Sequence, residues 1–90
     1  MQEKIIRDLV EGVGGDTSKI EDRHPLTRGF RYSERFGDLR VYMDSTPSNP
    51  YPWVSIHDRT RGHVATFQFK DQELMLGILL LFVGEETKDG

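Results

Sequence analysis

Arg31, Arg35 and Arg40 follow one another at short intervals, with Tyr42 and Trp53 close behind. A planar guanidinium pairs with carboxylate or phosphate through two parallel hydrogen bonds and stacks on aromatic rings. The chemistry these types can do is therefore the recognition of an anion. Seven of the eight arginines lie between Arg23 and Arg61, a stretch without lysine. Against Glu34, Asp38, Asp44 and Asp58 they leave a balance of +3, whereas residues 1–22 and residues 62–90 each carry −3. The net charge of −3 thus conceals a basic centre between acidic ends.

His57 and His63 form a second constellation, with Asp58 adjacent. Two imidazoles and a carboxylate can hold zinc, but no third ligand stands at a characteristic spacing, so the sequence predicts no metal and no cofactor. With no cysteine there is neither a disulfide, a thiolate ligand nor a catalytic thiol. Gly12-Val13-Gly14-Gly15 follows a helical pattern instead of a strand and lacks the Gly-Lys-Ser/Thr ending of a phosphate loop, which makes it a helix stop. No nucleophile elbow, EF-hand or HExxH pattern occurs, and the chain reads as a non-enzyme.

The elements that must position these residues follow from periodicity. Ile5, Ile6, Leu9, Val10 and Val13 share one face of a helix over residues 1–13, opposite Glu3, Lys4, Arg7, Asp8 and Glu11. Residues 16–25 are a connector, in which Ser18 and Glu21 have capping-box spacing for one short helical turn and His24 precedes Pro25. From Thr27 the period becomes two, and antiparallel sheet is predicted over 27–69.

A hairpin turning at Gly37-Asp38 sets Phe36 opposite Leu39, Arg35 opposite Arg40, Tyr32 opposite Met43 and Arg31 opposite Asp44. Phe30, Tyr32, Phe36, Leu39, Val41 and Met43 then share one face, interrupted by Glu34. Thr46 to Pro52, with three prolines, is expected as a rigid loop. A second hairpin turns through Arg59-Thr60-Arg61-Gly62. It is expected to place Trp53, Ser55, His57, Ala65, Phe67 and Phe69 on one face, and Val54, Ile56, Val64, Thr66 and Gln68 on the other.

Asp71 caps a final helix over 71–83, followed by a flexible tail at 84–90. Between Leu74 and Val83 only Gly77 interrupts the apolar residues, so the helix is expected to be buried all round; a short strand at Ile78–Val83 is the competing reading. This run is about half of the roughly 20 residues needed to cross a bilayer, and the start of the chain lacks the pattern of a signal peptide. The prediction is one soluble, cytoplasmic α+β domain spanning 1–90: an amphipathic helix, a four-stranded antiparallel meander and a buried C-terminal helix on the sheet. This order resembles that of double-stranded-RNA-binding domains, whose lysine-rich start to the last helix is replaced here by Lys70-Asp71-Gln72-Glu73.

The function expected is a small adaptor, regulator or inhibitor of the kind carried by phages and accessory elements. It would meet an acidic protein surface through Arg31, Arg35, Arg40, Tyr42 and Trp53, with Arg28, Arg59 and Arg61 supplying the surrounding field. Homodimerisation is expected through Leu76, Leu79, Leu80 and Val83 of the last helix. Nucleic acid on the same arginine face is the less favoured alternative, since the sequence pI is near 5.5. A nucleotide or other small anion held between Arg35 and Arg40 at a dimer seam is a further one.

Overall fold

The structure is a computed structural model that describes residues 2–22 and 29–87. The elements are α1 (Gln2–Gly12), a single 3-10 turn (Thr17–Lys19), β1 (Glu21–Asp22), β2 (Phe30–Phe36), β3 (Leu39–Thr46), β4 (Asn49–Asp58), β5 (Gly62–Phe67) and α2 (Gln72–Thr87). The strands form one antiparallel meander in the order β1-β2-β3-β4-β5. The fold is therefore α+β, as the periodicity predicts, with a two-residue strand added to the four expected. Ile6, Leu9 and Val10 of α1 and Met75, Leu79 and Val83 of α2 close over the inner face of the sheet. There they form one core with Tyr32, Phe36, Leu39, Val41, Met43, Val54 and Ile56.

The first hairpin has the predicted register throughout, from Phe36 opposite Leu39 to Arg31 opposite Asp44. Gly37 takes the positive φ, +61°, that its turn position demands. Helix α1 ends at Gly12, and Gly14 two residues on takes a φ of +78°. The connector is capped differently from the expected box. Asp16, not Ser18, is the N-cap of the 3-10 turn, its carboxylate accepting the Ser18 amide at 2.9 Å, and Glu21 pairs with Arg31 in β1.

Three further expectations are corrected. Residues 46–52 are not a loop: Thr46 pairs with Asn49 across a tight turn at Pro47-Ser48, and β4 continues through Pro50 and Pro52. An irregularity between Asp44 and Thr46 lets the proline-bearing segment remain in the sheet, at the cost of burying the Ser45 hydroxyl without a hydrogen-bond partner. In the second hairpin Asp58 opposes Gly62 and His57 opposes His63, but Val64 is an extra residue, so that Ile56 opposes Ala65 and Val54 opposes Phe67. Ala65 and Phe67 therefore join the core side and Thr66 turns outward. A slip of one residue moves every side chain to the other face, and Phe67 gains cover beside Val54 by this one.

The third correction concerns α2. It is a helix, capped by Asp71, whose carboxylate accepts the Leu74 amide at 3.1 Å, and it runs on to Thr87, through most of the segment expected as a tail. Residues 88–90 lie outside the described residues. Only the stripe Met75, Leu79 and Val83 is buried, while Leu74, Leu80 and Leu81 are exposed. No helix among the described residues is long and apolar enough to cross a membrane.

Candidate functional site

Both helices pack on the inner face, so the outward side chains of β2 to β5 form a sheet surface that neither helix covers. The strand registers arrange that surface in rows. Arg35 lies opposite Arg40, Arg40 opposite His57, and His57 opposite His63, which makes one row across four strands. Ser33, Tyr42, Ser55 and Thr66 make the next. Arg31, Asp44 and Trp53 make the third, with Glu21 of β1 beyond Arg31.

Directly opposed arginines repel unless something intervenes. Here the two side chains turn to different neutral acceptors. Arg35 Nε donates to the Gly37 carbonyl at 3.2 Å, and Arg40 Nη1 donates to Ser33 Oγ at 3.0 Å. Among the described residues, neither Arg31, Arg35 nor Arg40 has a carboxylate within ion-pair distance. No described carboxylate takes up their charge.

Rings join the rows. The Tyr42 and His57 rings meet edge to face with centroids 5.3 Å apart, and the His57 and His63 rings likewise at 5.4 Å. His63 Nε2 contacts Thr66 Oγ1 at 2.6 Å, and Thr66 shares a hydrogen bond with Ser55 at 3.1 Å. Trp53 and Tyr42 sit diagonally across β3 and β4, 53% and 40% exposed. With Asp44, Ser55 and His57 they line an open depression of about 440 Å³. A second depression, of about 580 Å³, continues past Tyr42 and Asp44 toward Arg31, Lys19 and Glu21.

The two hairpin tips lie at one end of this surface, tied by the Arg59 amide donating to the Asp38 carbonyl at 2.9 Å. Asp58 organises its own turn: one carboxylate oxygen accepts the amide and hydroxyl of Thr60 at 2.9 and 2.8 Å, and the other pairs with Arg61 at 3.2 Å. The bonds from Thr60, followed by that from the Arg61 amide, hold the Asp58 carboxyl well below the usual carboxylate range.

The sequence-derived residues thus divide. Arg31, Arg35, Arg40, Tyr42 and Trp53 share the outer face, Arg59 and Arg61 flank it at the adjoining turn, and Arg28 lies outside the described residues. Of the four residues expected at a dimer interface, Leu79 and Val83 belong to the chain's own core and Leu76 is partly buried against it, leaving Leu80 exposed. His57 and His63, treated in the sequence only as a poor metal pair, stand in line with the arginines. What joins them is the register of β3 against β4, which a loop at residues 46–52 would have left unset in the sequence.

The His63–Thr66 contact has the spacing of a base and a hydroxyl, but the other neighbour of His63 is an imidazole, and Asp58 is committed to its turn. Among the described residues no three histidine, aspartate or glutamate side chains are placed to hold a metal ion. The surface can bind, by charge, stacking and hydrogen bonding. Comparison with known protein families, curated proteins and solved structures returns no match.

Proposed function

We propose that this chain is a small non-enzymatic binding protein, an adaptor, regulator or inhibitor, that docks an acidic protein surface on the outer face of its sheet. The observation that carries this reading is the exposure of Tyr42 and Trp53 side by side, among arginines whose charge no described carboxylate takes up. Exposed aromatic residues and arginine are the types that dominate binding energy in protein interfaces. A cysteine-free chain suits the reducing cytoplasm, and so small a domain suits a phage or accessory-element product that occupies a host factor.

The test is capture of partners from the native cell on immobilised protein, comparing wild type with an R35E/R40E double variant. A protein retained by wild type and lost with the double variant supports the reading. Equal retention on both, or selective retention of nucleic acid at low salt, would overturn it.

Self-association belongs to the same proposal, through different residues from those the sequence suggests. Leu74 and Leu81 lie one heptad apart on the exposed side of α2, with Gly77 between them and nothing within 4 Å of where a Cβ on Gly77 would stand. Such a face complements a second copy of itself. Under twofold symmetry each Leu81 can enter the gap over the partner helix's glycine, as in close helix pairs generally.

A further inference from the structure

We infer that the occupant of the sheet face is an extended acidic segment lying across the strands, along the row Arg35–Arg40–His57–His63, and that its binding tightens as pH falls. This rests on the binding reading above and specifies the shape and chemistry of the partner's contact.

Geometry comes first. Four side chains on four neighbouring strands span three inter-strand steps of about 4.8 Å, so the row is about 14 Å long. Alternate side chains of an extended segment lie about 6.7 Å apart, so carboxylates at three successive alternate positions cover the row from end to end. The row is also chemically uniform. Each member presents nitrogen donors, and the two arginines are already satisfied only by neutral oxygens, which leaves guanidinium edges for a carboxylate.

The row favours a short segment over a polynucleotide. Two rows away Asp44 stands opposite Arg31, and beyond Arg31 lies Glu21 of β1. A continuous phosphate backbone crossing the face would meet these acids, whereas a segment confined to about 14 Å along the outer row does not.

Proton linkage follows from what surrounds the imidazoles. The charged and titratable groups near them are Arg40 and Tyr42 on β3, with Asp44 farther along β3 in the depression that His57 lines, Arg35 beyond on β2, Asp58 at the end of β4, Arg59 and Arg61 in the adjoining turn, and Asp38 at the neighbouring hairpin tip. Both helices pack on the opposite side of the sheet. Asp58 is occupied by Thr60 and Arg61, and Asp44 stands two rows away opposite Arg31, so the row itself holds no carboxylate to balance a proton added to His57 or His63. An acidic ligand supplies that balance. Histidine is the side chain whose charge changes between about pH 5 and pH 8, and linkage makes the effect reciprocal: the anion favours the proton and the proton favours the anion.

The probe is a fluorescein-labelled peptide of alternating glutamate and threonine, followed by anisotropy at constant ionic strength. Its carboxylates, with an ordinary value of about 4.3, remain charged at both about pH 7.5 and about pH 5.8. Wild type is expected to bind about tenfold more tightly at the lower pH, a coupling of ordinary size. An H57Q/H63Q variant should bind with the weaker affinity at both pH values, and R35Q/R40Q should not bind at either.

An affinity that does not change with pH in wild type, or a pH dependence that survives in H57Q/H63Q, would overturn the inference. So would tighter binding of a single-stranded oligonucleotide of equal charge in competition. These failures, with the captured partner still lost on R35E/R40E, would leave the sheet-face reading standing. Failure of both experiments removes both.

Discussion

Glu34 is an acidic side chain among the apolar positions of the inner sheet face, and the surrounding atoms account for it. Tyr32 Oη, buried in the core, donates to Glu34 Oε1 at 2.7 Å, and the Asp16 amide donates to the same oxygen at 2.8 Å. Burial, with Glu34 beside it, pushes the Tyr32 phenol far above its usual value, so it remains a donor at every working pH. Tyr32→Phe should cost about 1.5–3 kcal/mol in a denaturant titration, as a hydrogen bond to a charged group lost from a partly buried site does. The sequence shows Glu34 only as a flaw in alternation, because its partners come from the connector and from the strand itself. Ser45→Ala is predicted to act in the opposite sense: deleting an unpartnered buried hydroxyl should raise stability by about 1 kcal/mol, and a loss of that size would mean the hydroxyl is satisfied. Acid stability depends on Asp58, Asp16 and Asp8, all held below the usual carboxylate range, the first mainly by Thr60, the second by Ser18 and the third by Lys4. A depressed carboxyl stabilises the fold above the unfolded value of about 3.9 and ceases to do so as pH falls through the lower folded value. Denaturant titrations should therefore give constant stability from about pH 7 to pH 5 and a decline below about pH 4, with a shallower decline in Asp58→Asn. An identical acid limb in that variant would assign the decline to other groups.

Within elements, the first hairpin was legible because turn chemistry and alternation agree: Gly37 fixes the register, and the same register gathers Tyr32, Phe36, Leu39, Val41 and Met43 on the core side. The second hairpin was not, because the extra residue Val64 carries no signal of its own in the sequence. Its position follows from the tertiary gain of covering Phe67. Helix α2 itself is legible in the sequence, but its burial is not, for another reason. Apolar composition on every side says that burial would be favourable, but not that a surface exists to provide it, and here one helix and one sheet face cover only the Met75, Leu79 and Val83 stripe. Two substitutions separate the stripes. Leu79→Ala should destabilise the chain by about 2–5 kcal/mol, the range for truncating a fully buried leucine. Leu81 is 72% exposed, so Leu81→Glu should leave thermal stability of the subunit nearly unchanged while abolishing self-association. Light scattering at micromolar concentration should give twice 10.4 kDa for wild type and 10.4 kDa for Leu81→Glu. Monomeric wild type would sink the dimer reading, and an unfolded Leu81→Glu protein would contradict the placement of that side chain.

For the molecule as a whole, charge is divided by layer. Glu3, Asp8 and Glu11 outnumber Lys4 and Arg7 on α1, and α2 opens with Glu73, whereas the opposite side of the sheet presents Arg31, Arg35 and Arg40 with Asp44. The sequence revealed the imbalance along the chain. It could not reveal that folding would turn this into two opposed surfaces, because that depends on both helices choosing the same side of the sheet. The distinction has a kinetic consequence. A net charge of −3 spread evenly would repel an acidic partner, and raising the salt concentration would speed their association. A basic face turned toward the partner, with the acidic helices a layer away, predicts the reverse, because screening acts over about 10 Å at 0.1 M salt and the near face dominates. The association rate with the captured partner should fall several-fold between about 20 mM and about 300 mM salt, while the dissociation rate changes less. In R35E/R40E that slope should flatten or invert. A rate that rises with salt in wild type would mean that net charge, and not the arginine face, governs the encounter.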